Sequence, residues 1–251
     1  MNTMQNATAL KATSLNKAFG ALTVASNVSF SVPKHGALGI IGPNGAGKTT
    51  LFNLITGTVR ADSGVIKLFG QDVSELDPRR RCLAGIARSF QVPQPFGSLS
   101  AYENVLIAAA YGRGLTETAA RPHAREALEM TGLSARGETD AGSLTLLNRK
   151  RLELARALAT GPRLLLLDEI AGGMTEGECS ELVDLIRQIR ATGVAIIWIE
   201  HVLHALLRVV DRILVLDFGK VIAEGEPEMI LKDPRVTSVY LGPDGHESLV
   251  S

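Results

Sequence analysis

The sequence predicts an α/β fold with a largely parallel sheet, and three observations lead to it. Fully apolar runs such as residues 164–167 and 194–199 alternate with helical patterns, and such strands usually lie between two layers of helices. Residues 8–41 show short strands and turns instead, which predicts a small antiparallel β subdomain. Residues 98–160 are rich in Ala and Glu and are interrupted by glycines, which predicts an inserted α-helical subdomain.

The individual elements follow from periodicity. Residues 28–32 alternate apolar and polar side chains with the period of a strand, and residues 33–36 read as a turn. In residues 176–191 the apolar side chains recur at helical spacing, ending at Ile186 and Ile189. The other predicted elements are strands at residues 38–41, 65–70, 87–91, 163–167, 194–199 and 212–217, and helices at residues 50–55 and near residues 201–209.

Composition narrows the classes of function. The chain has 251 residues, with 26 Lys and Arg against 26 Asp and Glu, so its formal net charge is zero and no nucleic-acid partner is expected. Cys82 and Cys179 lack metal-ligand spacing, which favours a reducing compartment without disulfides. The first nine residues do not resemble a signal peptide, and no apolar run reaches the ~18–20 residues of a membrane span. We therefore expect a soluble chain that can still dock on a membrane protein.

Residues 42–49 carry the strongest motif, G-x-x-x-x-G-K-[ST], between an apolar strand and a helical run. Glycines let the backbone turn so that its N–H groups face bound phosphates, and the following helix adds positive partial charge. Lys48 can reach the β- and γ-phosphates, and the Thr49 hydroxyl can bind Mg²⁺. The alternative is a glycine-rich turn that happens to contain lysine. The predicted nucleotide-binding residues are Gly42, Pro43, Asn44, Gly45, Ala46, Gly47, Lys48, Thr49 and Thr50.

Two carboxylates follow the apolar strand at residues 164–167. Asp168 and Glu169 would lie at the mouth of the sheet, where ligands bind in open α/β folds. Asp168 is predicted to hold Mg²⁺, and Glu169 to act as general base on the attacking water. The alternative is an acidic cap on the next helix.

Two further polar residues are expected near the same sheet edge. His201 follows the apolar strand at residues 194–199 and could contact the γ-phosphate or orient the water, although a histidine there is often structural. Gln91 ends the strand pattern of residues 87–91, and its amide oxygen could bind Mg²⁺ or the water.

These residues, in this order, resemble the nucleotide-binding subunit of an ATP-binding cassette (ABC) transporter. Residues 42–49 match Walker A, residues 164–169 match Walker B with its catalytic glutamate, Gln91 matches the Q-loop and His201 the switch histidine. Phe19 matches the aromatic residue that stacks on adenine, although a phenylalanine in a strand is more often part of a core.

The signature loop departs from the family pattern Leu-Ser-Gly-Gly-Gln. Residues 144–148 read Leu-Thr-Leu-Leu-Asn, so leucines stand at both glycine positions. The resemblance implies that Thr145 caps the γ-phosphate bound to the opposite subunit, a role its hydroxyl preserves while Leu146 and Leu147 could obstruct it. The D-loop, at residues 171–175, is also atypical.

The resemblance implies a P-loop NTPase (RecA-like) core with an antiparallel β subdomain and an inserted α-helical subdomain at about residues 92–160. It covers residues 8–242 as one nucleotide-binding domain, followed by a polar tail at residues 243–251. It further implies ATP and Mg²⁺ as cofactors, and a homodimer or a heterodimer with a paralogous ATPase subunit. The partners it implies are two membrane permease subunits and, indirectly, a periplasmic substrate-binding protein, which places the chain at the cytoplasmic face of the inner membrane.

The run at residues 86–91 and the ending at residues 225–242 are most similar to the branched-chain amino-acid uptake group. Subunits for urea or amide uptake and for lipopolysaccharide export share much of this pattern. Phe96, Leu99 and Tyr102 either form the groove for a helix of a membrane subunit or pack within the helical subdomain. A regulatory subunit with weak hydrolysis is one alternative. A soluble ABC protein of translation or DNA repair is another, but those usually carry two cassettes or a long coiled coil.

Overall fold

The computed structural model describes residues 8–241, and within them ten strands form two sheets. The smaller sheet is antiparallel, with the strand order β2-β1-β4-β5. Its members are β1 (Thr8–Phe19), β2 (Leu22–Pro33), β4 (Ser63–Leu68) and β5 (Gln71–Asp72). This is the antiparallel β subdomain that the alternating N-terminal residues predict.

The larger sheet has the strand order β10-β9-β3-β8-β7-β6, and its five strands from β9 to β6 are parallel to their neighbours. Only the hairpin of β9 and β10 is antiparallel. The six strands are β3 (Ala37–Ile41), β6 (Ile86–Arg88), β7 (Leu164–Asp168), β8 (Ala195–Ile199), β9 (Arg212–Asp217) and β10 (Lys220–Gly225). The predicted α/β fold with a mainly parallel sheet is confirmed.

Helices surround the larger sheet and fill the segment between β6 and β7. In chain order they are α1 (Lys48–Thr56), α2 (Pro78–Leu83), α3 (Ala101–Arg113), α4 (Glu117–Met130), α5 (Leu146–Ala159), α6 (Glu176–Ala191), α7 (Leu203–Leu207), α8 (Pro227–Leu231) and α9 (Pro234–Leu241). Helix α6 begins at a capping box in which Thr175 and Glu178 satisfy each other's backbone N–H groups.

Two strand predictions were wrong at their C-terminal ends. Strand β6 ends at Arg88, so Gln91 lies in an exposed loop rather than in a strand. Strand β4 ends at Leu68, because Phe69 and Gly70 have φ values of 47° and 84°, which are left-handed and incompatible with an extended strand.

The apolar residues form three clusters. One lies between the two sheets and includes Phe52 of α1, and a second lies on the other face of the larger sheet, where α6 packs against Trp198. The third belongs to α3, α4 and α5, with Val105 and Leu152 fully buried. The helical segment between β6 and β7 therefore has its own apolar core.

The parallel sheet brings distant residues to one edge. Strand β3 leads into the 42–49 loop, β7 ends at Asp168, and β8 ends at Ile199, two residues before His201. The carboxyl ends of parallel neighbours lie side by side, so these segments meet although they are up to 160 residues apart. Among residues 8–241, no helix combines the length and the apolar character needed to cross a bilayer. The predicted tail at residues 243–251 lies outside the described residues.

Candidate functional site

The 42–49 loop can be built only with glycine at its critical turns. Gly47 has a φ of 103°, and a Cβ there would lie 2.5 Å from the backbone oxygen of Val24 in β2. A Cβ on Gly42 would overlap the backbone oxygen of Leu216 in β9. None of the described side chains caps the start of α1, so its first N–H groups remain available to an anion. The loop is therefore a cradle of backbone donors at a helix N-terminus.

Lys48 is the cation inside this cradle, and only 6% of it is exposed. Its ammonium group donates hydrogen bonds to the backbone oxygens of Gly42 at 2.7 Å and Pro43 at 3.0 Å. Burial lowers the pKa of Lys48, and the negative charges of Glu169 and Asp168 act in the opposite direction. The charge of Lys48 therefore lies at the base of the loop, in the field of both carboxylates.

Asp168 is held by an arginine that the sequence analysis did not single out. Arg88 of β6 donates to Asp168 Oδ2 over 2.5 Å and to Asn53 Oδ1 of α1 over 2.6 Å. The guanidinium also lies over the rings of Phe52 and Phe90. One carboxylate oxygen of Asp168 is thus fixed in a buried ion pair, and Arg88 joins α1 to two strands of the larger sheet.

The other predicted polar residues, His201 and Gln91, both contact the carboxylate of Glu169. His201 Nε2 lies 3.0 Å from its Oε1, and Gln91 Nε2 donates to its Oε2 over 2.6 Å. Its backbone N–H donates to the oxygen of Ile199 in β8. Glu169 has a φ of 46°, a left-handed conformation that costs ~1–2 kcal/mol for a residue with a side chain and is often found at functional sites.

The donor set fits a nucleotide and a magnesium ion better than a metal alone. Within the described part of the chain, no three His, Cys, Asp or Glu side chains are grouped as a metal site would require. Mg²⁺ commonly takes one or two carboxylates and completes its shell with waters and substrate phosphates. Asp168, the Thr49 hydroxyl and the Gln91 amide oxygen are the groups here that could supply protein ligands.

Phe19 and Thr145 lie on elements beyond this carboxylate cluster. Phe19 ends β1 with about half of its surface exposed, and Lys17 Nζ lies 5.3 Å from its ring centroid. Thr145 caps α5, because its hydroxyl accepts the Asn148 N–H. Thr145 is not joined to the residues of the 42–49 loop by any hydrogen bond between described side chains. The structure therefore brings Lys48, Asp168, Glu169, Gln91 and His201 together, and leaves Phe19 and Thr145 at separate positions.

Four buried or half-buried polar residues next to this site were missed from the sequence. They are Asn53, Arg88, Lys150 and Glu200. Each acts on a residue far away in the chain, so local periodicity gives no signal for it. Asn53, Arg88 and Glu200 each lie within three residues of a predicted site residue, which is the clue that the sequence offered.

The ABC transporter family profile matches residues 25–172, and a profile described as the branched-chain amino acid ATP-binding cassette transporter matches residues 220–242. The chain is 35% identical to the lipopolysaccharide export system ATP-binding protein LptB of Haemophilus influenzae, over 93% of this chain and 97% of that one. It is also 35% identical to the high-affinity branched-chain amino acid transport ATP-binding protein BraF of Pseudomonas aeruginosa, with the same coverage of both chains.

Solved structures give the same relationship. The ADP conformation of MJ1267, an ATP-binding cassette of an ABC transporter, superposes with a TM-score of 0.86 at 32% identity, over 94% of this chain and 99% of that one. A nucleotide-free ATP-binding cassette superposes with a TM-score of 0.86 at 30% identity, with the same coverage. The fold and the sequence therefore agree on the class of protein to which this chain is similar.

Proposed function

Since this chain belongs to the ABC transporter family as an ATP-binding subunit, and such subunits are ATPases coupled to transport, we propose that it binds ATP with Mg²⁺ at residues 42–50 and hydrolyses it with Glu169 as general base. The observation that carries this proposal is the convergence of Lys48, Asp168 and the Glu169 network at one sheet edge. Phe19 is proposed to stack on the adenine, because its ring is half exposed at the end of β1, in the hairpin whose Val24 approaches Gly47 of the loop.

The proposed reaction begins when the triphosphate enters the cradle. Lys48 gives up its bonds to the carbonyls of Gly42 and Pro43 and turns to the β- and γ-phosphates, which are stronger acceptors. The N–H groups of the loop and of α1 bind the remaining phosphate oxygens. Mg²⁺, when bound, offsets phosphate charge, and Thr49, Asp168 and Gln91 are the residues proposed to hold it.

Glu169 is proposed to accept a proton from the attacking water. Each of its oxygens has one partner in this structure, so the water can use a remaining acceptor position or take the place of one partner. Gln91 lies in an exposed loop and is the partner that can move, whereas His201 follows a buried strand. His201 then keeps the carboxylate oriented while Glu169 takes the proton.

We assign the second half of each site to another copy of this chain or to a paralogous subunit. In such a head-to-tail dimer, Thr145 and the N–H groups at the start of α5 would cap the γ-phosphate bound to the opposite subunit. Closure would be favoured by ATP and lost on hydrolysis, so the two chemical states would select two arrangements of the dimer.

The proposed partners are two membrane permease subunits, which would hold this chain at the cytoplasmic face of the inner membrane. Leu99 and Tyr102 line a cavity of about 1040 Å³ beside α3, and Phe96 is half exposed next to it. An amphipathic helix that binds a groove needs apolar anchors of this kind. Tyr102 also packs against the apolar cluster of α3, α4 and α5, so the proposed groove borders the core of the helical segment.

The proposed cargo is a branched-chain or related amino acid, delivered by a periplasmic substrate-binding protein. Support comes from the match at residues 220–242 and from the similarity to BraF. LptB is equally similar in identity, so lipopolysaccharide export, as well as urea or amide uptake, is the alternative assignment. Co-purification with candidate permeases, followed by ATP turnover with each cargo, tests this choice. Stimulation by leucine, isoleucine or valine supports it, and stimulation by urea or lipopolysaccharide contradicts it.

A second candidate function is a regulatory subunit that binds ATP and hydrolyses it weakly. The observation that favours it is Leu146, which stands where the family pattern has glycine and is 45% exposed at the start of α5. Phosphate release by the purified chain and by Glu169→Gln separates the two functions. A large difference between them supports hydrolysis, whereas equal and slow release supports the regulatory function.

A further inference from the structure

The three residues after Glu169 are held from two sides by buried charged side chains. Lys150 of α5 donates to the backbone oxygens of Ile170 at 2.6 Å and Gly172 at 2.8 Å. Between them, the N–H of Ala171 donates to Glu200 Oε2 over 3.0 Å. A cation therefore binds the two outer carbonyls of residues 170–172, and an anion binds the central N–H. We call Lys150 and Glu200 the loop clamp.

Both members of the loop clamp are buried, which costs desolvation free energy because each side chain can carry a charge. Lys150 is 5% exposed and Glu200 is 2% exposed, and neither makes a direct ion pair with the other in the described chain. Burial lowers the pKa of Lys150, which the charge of Glu200 opposes, and burial raises the pKa of Glu200, which its N–H donors oppose. A buried charge that makes no ion pair needs such hydrogen bonds to be tolerated.

Glu200 is bound as an acceptor at every point. The indole N–H of Trp198 and the Ala171 N–H donate to its Oε2, while the N–H groups of His201 and Val202 donate to its Oε1. An ionised carboxylate can accept all four hydrogen bonds, because each of its oxygens accepts two. A carboxamide has only one accepting oxygen, since its NH₂ group is a donor. Replacement by glutamine would therefore point an NH₂ group at N–H donors.

The loop clamp touches three parts of the proposed catalytic machinery through the backbone. Ile170 directly follows Glu169, and Glu200 directly precedes His201, whose ring contacts Glu169 at 3.0 Å. Lys150 lies on the first turns of α5, five residues after its cap at Thr145. A displacement of residues 170–172 would thus be transmitted to Glu169 and to the start of α5 together.

We propose that Lys150 and Glu200 are positioning residues for ATP hydrolysis, which fix Glu169 and His201 relative to the start of α5. This inference depends on the proposed hydrolytic function of Glu169. The hydrogen bonds described for both side chains go to residues 170–172, 198, 201 and 202 and not to the cradle, so ATP binding by the single chain should be independent of them. Their removal should lower the turnover number without weakening the first nucleotide contact, because a misplacement of about 1 Å can cost ~10²-fold in rate.

The test compares Lys150→Met and Glu200→Gln in the full chain with the parent. Arg151→Met is the matched control, since Arg151 neighbours Lys150 on α5 but forms an ion pair with Glu181 at the surface. The dissociation constant of a fluorescent ATP analogue, kcat, KM and the melting temperature are measured for each variant. Trp198 is the one tryptophan of the chain and donates to Glu200, so its fluorescence emission also reports on a change at Glu200. Lys150→Gln, which keeps an NH₂ donor group on a shorter, uncharged side chain, replaces Lys150→Met if that variant fails to fold.

We expect kcat to fall at least ~10-fold in both clamp variants, with KM and nucleotide affinity within about twofold of the parent and Arg151→Met unchanged. We also expect Trp198 emission to shift in Glu200→Gln. Clamp variants that keep the parent's kcat overturn the inference, and so does a loss of affinity in step with kcat, which indicates general destabilisation. A parent chain that does not hydrolyse ATP contradicts the proposed function itself, which is a separate result.

Discussion

Glu169 shows how single residues prepare this site for chemistry. Its backbone is left-handed directly after the end of β7, and its two oxygens contact His201 and Gln91. These contacts hold the carboxylate in one orientation, so little rearrangement would be needed for it to accept the water of the proposed reaction. The site is therefore pre-organised by a network that joins three separate segments of the chain.

Phe19 is the residue whose proposed function is easiest to isolate. We expect Phe19→Ala to weaken ATP binding about tenfold, since stacking of a base on an aromatic ring contributes ~1–3 kcal/mol. Isothermal titration with a non-hydrolysable ATP analogue measures the change. Leu22→Ala is the control, because Leu22 begins β2 in the same hairpin and is 65% exposed. Equal affinities for Phe19→Ala and the parent would show that the ring does not contact the base.

Among the secondary structure elements, helix α5 departs most from the family pattern, because it begins with two leucines where that pattern has glycines. Its cap at Thr145 has the normal chemistry, with the side-chain oxygen accepting the Asn148 N–H. The two leucines that follow do not prevent the helix from starting, because an N-terminus is formed by backbone donors and any residue except proline can supply them. The departure from the family pattern thus changes the surface of the helix start and leaves its geometry intact.

Thr145 gives a prediction about this element. Thr145→Ala removes the cap and should destabilise the chain by ~1 kcal/mol, whereas Thr145→Ser keeps the hydroxyl and should cost less. Urea unfolding measures both variants. If the hydroxyl also caps the opposite nucleotide, kcat falls in Thr145→Ala and is retained in Thr145→Ser. An unchanged kcat in Thr145→Ala would restrict the hydroxyl to a structural function.

Sequence patterns predicted the bounds of an element well where its apolar residues follow a clear pattern. Residues 176–191 were predicted with the bounds of α6 because their apolar residues recur at helical spacing over 16 residues, and residues 212–217 with the bounds of β9 because charged residues flank a continuous apolar run. Strand β6 was predicted too long, since its pairing with β7 stops at Arg88 and sequence alone does not show where a ladder ends. The Arg88–Asp168 pair and the loop clamp depend on contacts between distant segments, which no local pattern encodes.

The described residues form two sheets with their flanking helices and a helical segment, between β6 and β7, that has its own apolar cluster. Phe96 links the loop after Gln91 to α5, because Arg156 of α5 lies over its ring and donates to the backbone oxygen of Gln94. Glu153 also accepts from the Gln94 N–H. Movement of the segment after Gln91 would therefore move α5, which joins the proposed docking groove to the proposed trans-acting cap.

Assembly of two chains should depend on bound ATP. We expect Glu169→Gln to bind ATP without consuming it and to accumulate as a dimer, since the closed state is proposed to require the intact γ-phosphate. Light scattering with ATP, ADP or no nucleotide measures the molecular mass. Glu176→Gln is the control, because Glu176 lies exposed at the start of α6 and outside the site. A Glu169→Gln chain that stays monomeric with ATP would argue against a homodimer and for a paralogous partner.

ATP binding and phosphate release, measured on the parent chain and on Lys48→Ala, decide whether residues 42–49 form the nucleotide site. We expect Lys48→Ala to weaken ATP binding by about 10- to 100-fold and to abolish turnover, because it removes the buried cation that is proposed to bind the phosphates. Lys67→Ala, on the exposed side of β4, should behave as the parent does. A Lys48→Ala chain that binds and hydrolyses ATP as well as the parent would contradict the account.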